Sequence, residues 1–214
     1  MKSTYQAEQI APSAHRQAMT RRYRWQAPLF DLTRWPILRG RGWLARHLRP
    51  AQRLVEVGCG TGHNLRALHR AAGPGAHILG VECAASMARR ARRERRPGIE
   101  VAELEFGPDS AGPVDAAVFS YSLSMIPDYQ AALDRAWQDL RDGGQILVLD
   151  FVDSPLPSMR RLMNRMGVRL GEDQWAALRA RFTVRFEEER RGLAGLWRYR
   201  LLVGERASGT TQSR

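Results

Sequence analysis

Arg53-Leu54-Val55-Glu56-Val57-Gly58-Cys59-Gly60-Thr61-Gly62-His63-Asn64-Leu65 is a short apolar run that ends in an acid, breaks into glycines and opens into a helical pattern. In sequence order that is a strand, a tight turn and a helix N-terminus. A glycine has no Cβ and tolerates positive φ, so such a turn lets the backbone approach a bound nucleoside closely.

The spacing narrows the ligand. Gly58, Gly60 and Gly62 give G-x-G-x-G. A dinucleotide fingerprint needs its third glycine one place later, where this chain has His63. The dinucleotide loop sets helix N–H groups on a pyrophosphate, so a cofactor without a pyrophosphate is expected here. Working outward, Ala76-His77-Ile78-Leu79-Gly80-Val81 reads as the next strand and ends in Glu82. An acid about 20 residues after the glycine turn can accept hydrogen bonds from ribose hydroxyls.

The rest of the central region alternates strand and helix. Leu54–Val57 reads as a strand, residues 63–72 as a helix, 76–81 as a strand and 85–95 as a helix. A short strand over 100–104, a strand over 116–121, a helix over 129–140 and a strand over 145–151 follow. This alternation implies a parallel, doubly wound sheet whose ligand lies at the carboxyl ends of the strands. The glycine loop, Glu82 and Ser120–Ser122 all fall at that edge. Residues 155–181 read as one basic helical stretch, with Met159, Leu162, Met163 and Met166 as a core stripe. Residues 182–190 and 196–205 read as an antiparallel hairpin.

Taken together, Glu56–Gly62, Gly80-Val81-Glu82, Val114–Tyr121 and Leu140–Leu147 resemble the motifs of class I S-adenosylmethionine-dependent methyltransferases, in order and with family-like spacing. The resemblance implies an α/β, Rossmann-like, mostly parallel seven-stranded sheet with a C-terminal antiparallel hairpin. It implies S-adenosylmethionine as cofactor, contacted by Glu56, Gly58, Cys59, Gly60, Gly62, Asn64, Glu82 and Ser120. The expected organisation is an N-terminal arm and helical lid over residues 1–48, the methyltransferase domain over 49–206 and a disordered tail over 207–214. The region between Glu103 and Pro113 is short for the family, which leaves Glu103 or Glu105 as candidates for the adenine contact.

Charge points to partners. The formal net charge is +12 over 214 residues, and Lys2 is the only lysine. A basic protein is drawn to polyanions, either nucleic acid or an anionic membrane surface; the alternative is a non-specific solvated basic surface. Arg89, Arg90, Arg92, Arg93, Arg95 and Arg96 occupy too many positions for one stripe, and read as an exposed face. Between Arg16 and Leu48, Tyr23, Trp25, Trp35 and Trp43 interleave with arginines. That pattern suits an interfacial amphipathic segment, and equally a helical lid packed on the domain. No apolar run approaches the length of a bilayer span, and residues 1–22 hold no signal-peptide pattern. A cytoplasmic protein, peripherally associated with the inner membrane, is expected. Cys59 and Cys83 suggest neither a disulfide framework nor a metal site.

Two further stretches, Tyr23–Trp35 with Leu38–Arg41, and Ser120–Asp128, resemble bacterial phospholipid N-methyltransferases, nearest to those that methylate the amine of a betaine lipid. Phe30 stands where such proteins usually carry tyrosine. This resemblance implies that a neutral lipid amine attacks the sulfonium methyl, with the protein supplying alignment and desolvation. Tyr121 and Ser122 are the candidates for orienting the amine, and Tyr23 with Trp25 for holding its cationic products by cation–π attraction. His63, at a helix start beside the cofactor, reads as a solvent-facing or structural histidine and not a catalytic one, and Asp31 with Arg34 as a structural pair tying the lid down. Methylation of a soluble molecule or of nucleic acid is the competing class, although Ser120–Ser124 lacks the Asn/Asp-Pro-Pro-Tyr pattern of base-amine methyltransferases. A basic binding module without catalysis is the remaining alternative, and the intact glycine loop with Glu82 speaks against it.

Overall fold

The strand Arg53–Val57 (β1) buries four of its five residues, Glu56 among them, and exposes only its first, Arg53. A strand of that kind must have neighbours on both edges and helices on both faces. The computed structural model supplies them. It describes residues 17–21, 40–93 and 96–207. β1 pairs in parallel with His77–Val81 (β2) and with Val114–Ser120 (β4). Ile99–Ala102 (β3) extends the sheet beside β2, and Leu140–Asp153 (β5) beside β4. Trp197–Glu205 (β7) then runs antiparallel to β5, and Thr183–Gly192 (β6) closes the edge. The order is β3-β2-β1-β4-β5-β7-β6. This is the Rossmann-like sheet with a C-terminal hairpin that the sequence led us to expect.

Period-2 alternation sends successive side chains to opposite faces. Leu54, Ala116, Val118, Leu147, Leu149 and Leu201 build one core with the helices Arg41–His47 (α1) and Leu65–Ala72 (α2). Val55, Val57, Ala117, Phe119, Ile146 and Val148 build the other, with the helices Tyr129–Asp139 (α4) and Asp173–Arg181 (α6). Two more helices are Ala85–Ala91 (α3), after β2, and Pro157–Arg165 (α5), after β5.

Several boundaries differ from expectation. The basic stretch over 155–181 is two helices, because Gly167 and Gly171 adopt positive φ and the Gly167 N–H closes on the Asn164 carbonyl. The methionine stripe is split accordingly: Met163 is core, Met159 and Met166 pack partly against it, and Leu162 is exposed. β5 is twice the expected length, since Gly143 and Gly144 carry the strand back to Leu140 while exchanging backbone hydrogen bonds with Arg206. Of the expected lid, Trp43 packs on the domain itself: its ring meets Phe186 edge-on at 5.9 Å and lies beneath the Arg190 guanidinium at 3.8 Å. Tyr23, Trp25, Phe30, Asp31 and Arg34 lie outside the described residues, as does the tail beyond Ala207.

Candidate active site

The turn after β1 is held from both sides. The Gly58 and Cys59 N–H groups donate to the Val81 carbonyl, at 2.8 and 3.0 Å. The Gly60 N–H donates to Glu82 Oε2 at 2.9 Å, while Glu82 Oε1 accepts from the Ala84 N–H at 2.8 Å. Glu82 therefore ties the end of β2 to the glycine loop, and its carboxylate still lines the adjoining cavity. Gly58 has φ +70°, and a Cβ there would lie 2.5 Å from Ser122 Cβ. Gly62, at φ +80°, lets the Ala91 backbone of α3 within 3.2 Å of where its own Cβ would be. These two glycines are demanded by close approach as well as by conformation.

The cavity lies at the carboxyl ends of β1, β2, β4 and β5, as the topology requires. It contains about 1090 Å³ of space, counted out to its open mouth. Glu56, Gly58, Cys59, Gly60, Asn64, Glu82, Ser120, Tyr121 and Ser122 all line it. Of the expected cofactor residues, Gly62 alone stands back from the wall and shapes the turn. His63 is exposed and does not line the cavity. Of the two adenine candidates, Glu105 lines the cavity between Leu104 and Phe106, whereas Glu103 faces Arg92 at 3.7 Å.

The electrostatics of this wall follow from burial. Burial pushes the Glu56 carboxyl up to about 7, against the opposing effects of the Asn64 hydrogen bond (3.0 Å) and the Arg41 charge. Burial also raises Glu82, against the hydrogen bonds it accepts from the Ala84, Gly60 and Cys83 backbone N–H groups and from the Cys83 side chain. It keeps the Cys59 thiol protonated, with Glu82 and Glu56 adding to the effect. A buried polar atom without a partner is costly and rare. Two such atoms, Glu56 Oε2 and Ser120 Oγ, belong to residues lining this cavity.

The loop after β4 carries the acceptor candidates. Tyr121 has φ +56°, a strained conformation for a non-glycine residue. Its ring packs against Phe151 at 4.7 Å, tilted by 47°, with Tyr199 at 6.5 Å. Burial, then the neighbouring Tyr199 and Asp150, raise its phenol well above the ordinary range, so it stays protonated. Asp150 braces the loop from β5: its carboxylate accepts from Ser124 N at 2.8 Å, Ser124 Oγ at 2.7 Å and its neighbour Phe151 N at 2.8 Å. Burial raises this carboxyl to about 6. Ser122 lines the same wall, and its hydroxyl donates to the Val57 carbonyl at 2.6 Å, fastening the loop after β4 to β1.

Sequence reasoning missed several wall residues. Arg41, at the start of α1, and Met19, in the helical segment 17–21, both reach the cavity. So do Met125, Ile126, Phe151 and Val168. Only β5 and the chain after α5 bring the last two here, and no local pattern marks them.

A methyltransferase-domain family model matches residues 18–205. The chain belongs to that family. It is 31% identical over 109 residues to the demethylmenaquinone methyltransferase of Thermus thermophilus, covering 49% of each protein. It is 30% identical over 100 residues to the trans-aconitate 2-methyltransferase of Deinococcus radiodurans, covering 47% of this chain and 38% of the relative. The chain thus spans half or less of these curated relatives. Geranyl diphosphate C-methyltransferase from Streptomyces coelicolor superposes with a TM-score of 0.73 at 16% identity, over 92% of this chain and all of that one. This is a methyltransferase domain, and its cofactor is S-adenosylmethionine. The residues fit the group: the glycine cradle leaves no room for a Cβ at Gly58, and Glu56 and Ser120 each bring an unsatisfied oxygen.

Proposed function

We propose that this methyltransferase domain methylates an amine carried on a lipid head group. The observation carrying this reading is the composition of the cavity wall beyond the glycine loop. Tyr121 and Phe151 present paired aromatic rings, and Met125, Ile126 and Val168 continue an apolar surface from them. An aromatic pair attracts a cationic head group, and the apolar surface accepts a hydrocarbon body.

Residue roles follow from chemistry. Glu56 Oε2 is placed to accept from an ammonium, as at the amino-acid end of the cofactor, with Asn64 fixing its other oxygen. Ser120 adds a polar contact beside it. Glu82 keeps acceptor capacity for ribose hydroxyls while bracing Gly60, and Glu105 with Leu104 and Phe106 borders the adenine end. Gly58, Cys59 and Gly60 form the floor. Bound S-adenosylmethionine supplies a methyl already activated on sulfur. The chain's task is therefore alignment and the exclusion of water. Tyr121, held in its strained conformation by the Asp150–Ser124 brace, sets the acceptor's position, and its protonated phenol can donate a hydrogen bond but take no proton. An amine that arrives neutral loses its proton to solvent after methylation. The anionic membrane that carries such a lipid is the expected partner surface, and nucleic acid is not.

A second reading is methylation of a ring carbon on a prenylated acceptor. It is favoured by the likeness to the Thermus demethylmenaquinone methyltransferase and by the same apolar wall. Mass spectrometry of lipid extracts from cells expressing the chain, with an amino-lipid precursor supplied, separates the two. Head groups heavier by one to three methyls are expected. An unchanged head-group profile beside a methylated quinone would overturn the amine reading.

A further inference from the structure

The large apolar side chains that stand exposed among the described residues are Trp137, Leu156, Leu162 and Leu193. Trp137 lies at the far end of the sheet, beneath the Arg206 guanidinium. The other three share the edge that holds the cavity mouth. Leu156 follows the carboxyl end of β5, Leu162 lies on α5, and Leu193 lies in the turn between β6 and β7. That turn reaches the same edge because β7 runs antiparallel to β5, with Phe151 opposite Tyr199 and Asp153 opposite Arg198. Ser154 fastens the two parts together: its hydroxyl donates to the Leu196 carbonyl at 2.6 Å and accepts from the Leu156 N–H at 3.2 Å.

Arginines alternate with these leucines. Arg161, Arg165 and Arg191 are exposed on the same rim. Asp153, at the foot of α5, is held by Arg160 and Arg198, Glu188 by Arg190 and Glu189 by Arg198, so the rim's arginines outnumber its acids. α5 is anchored through Met163, with Met159 and Met166 partly packed on the core, and turns its opposite side outward. Val168, just beyond it, lines the cavity.

We propose that this rim, α5 with the β6–β7 turn, is the surface by which the protein docks on an anionic bilayer, leucines entering the acyl boundary and arginines meeting the head groups. Leucines beside arginines on one surface is the chemistry that an interface selects, and positive charge is complementary to an anionic leaflet. Docking there turns the cavity mouth towards the membrane, so an acceptor need not cross water. The proposal deepens the lipid reading above and rests on it for the purpose of docking.

The test uses the full chain and vesicles of phosphatidylcholine with or without an equal share of phosphatidylglycerol. Partitioning into the anionic vesicles is expected to exceed that into neutral ones at least tenfold. An arginine near an anionic surface contributes about fivefold. The variant R161Q/R165Q/R191Q is therefore expected to lose about a hundredfold at low salt. The variant L156S/L162S/L193S is expected to lose at least tenfold. Calorimetric binding of S-adenosylmethionine should be unchanged in both, which separates a lost surface from a lost fold. Wild-type partitioning retained by both variants, no vesicle binding by the wild type, or a concentration-dependent dimer abolished by the leucine variant would each overturn the proposal. Vesicle binding that depends on the rim without methylation of any lipid amine would leave the docking surface standing and refute the acceptor alone.

Discussion

Glu56→Gln should make the cofactor-free protein more stable and the cofactor weaker, at the same pH. The Glu56 carboxyl titrates near 7 in the folded chain because it is buried, against an ordinary value of 4.5. Below about pH 4.5 it is protonated whether the chain is folded or not, and contributes nothing. Between 4.5 and 7 the folded protein retains a proton that the unfolded chain releases, so every rise of one pH unit costs stability. Above 7 the loss is complete and amounts to ~3 kcal/mol. Glutamine carries no charge to desolvate and can still accept from Asn64 Nδ2. At pH 8 the variant is therefore expected to melt several degrees above the wild type, since 1 kcal/mol is worth about 2–4 °C in a chain of this size. At pH 4.5 the two curves should coincide. Cofactor affinity moves the other way. Losing a charged partner for an ammonium costs about 1.5–3 kcal/mol, roughly a ten- to hundredfold rise in Kd. Wild-type affinity should also strengthen as pH rises through 7 and Glu56 gives up its proton, and the variant should lose that slope. Melting by differential scanning fluorimetry and titration calorimetry at several pH values measure all of this. A variant less stable than wild type at pH 8, or one that binds the cofactor unchanged, would refute the reasoning.

Other expectations are equally direct. Gly58→Ala forces a Cβ to within 2.5 Å of Ser122 Cβ at φ +70° and should cost at least ~2 kcal/mol in chemical denaturation, strain at positive φ alone being worth about 1–2. Adding Ser122→Gly should recover part of that loss but not all, because the overlap goes while the backbone strain stays; strict additivity would contradict the contact. Asp150→Asn presents an amide NH2 where donors already point, at Ser124 N, Ser124 Oγ and Phe151 N. It is expected to cost about 1–3 kcal/mol and to lower methyl transfer more than cofactor binding, which a split between kcat and the cofactor Kd would show. Arg200→Met removes the partner that Glu172, Glu187 and Glu189 share, leaving Arg179 to the first two and Arg198 to the third, and should destabilise by about 1–2 kcal/mol at neutral pH. Arg200 holds the Glu172 carboxyl below its ordinary range, so the deficit should shrink in acid as that group takes up its proton, and one that is constant with pH would dismiss the network.

What the sequence disclosed was local in character. The strand, turn and helix around Gly58–Gly62 announce themselves because each rule involved acts over a few residues. Glu82 follows because the distance from a glycine turn to the next strand end is set by the crossover. The hairpin of β6 and β7 is equally short-ranged. The cavity's acceptor side is different. Arg41, Phe151 and Val168 come from three separate parts of the chain, and only the sheet order brings them to one wall. Ser122 shows a second limit: residue type suggested a polar contact for a substrate, and gave no sign that the hydroxyl also meets the Val57 carbonyl of a neighbouring strand, a partner 65 positions away. The division of 155–181 into two helices was written in Gly167, whose role is visible once its N–H has a carbonyl to close on.

The attachment of α1 has a consequence for how the chain reaches this state. Arg49, just past the helix, donates to Glu205 at 2.7 Å and to the Gly143 carbonyl at 2.8 Å, and Gln145 donates to the His47 carbonyl. These contacts span 156, 94 and 98 residues. Closing loops of that size is slow and precedes any return in contacts. On the ribosome, where chains lengthen by ~5–20 residues per second, α1 can meet α2 early, but its clasp to the sheet waits for β5 and then for β7. Arg41, which α1 carries to the cavity, waits with it. The glycine turn can form early from its own neighbours, but a complete binding wall dates from the emergence of Glu205.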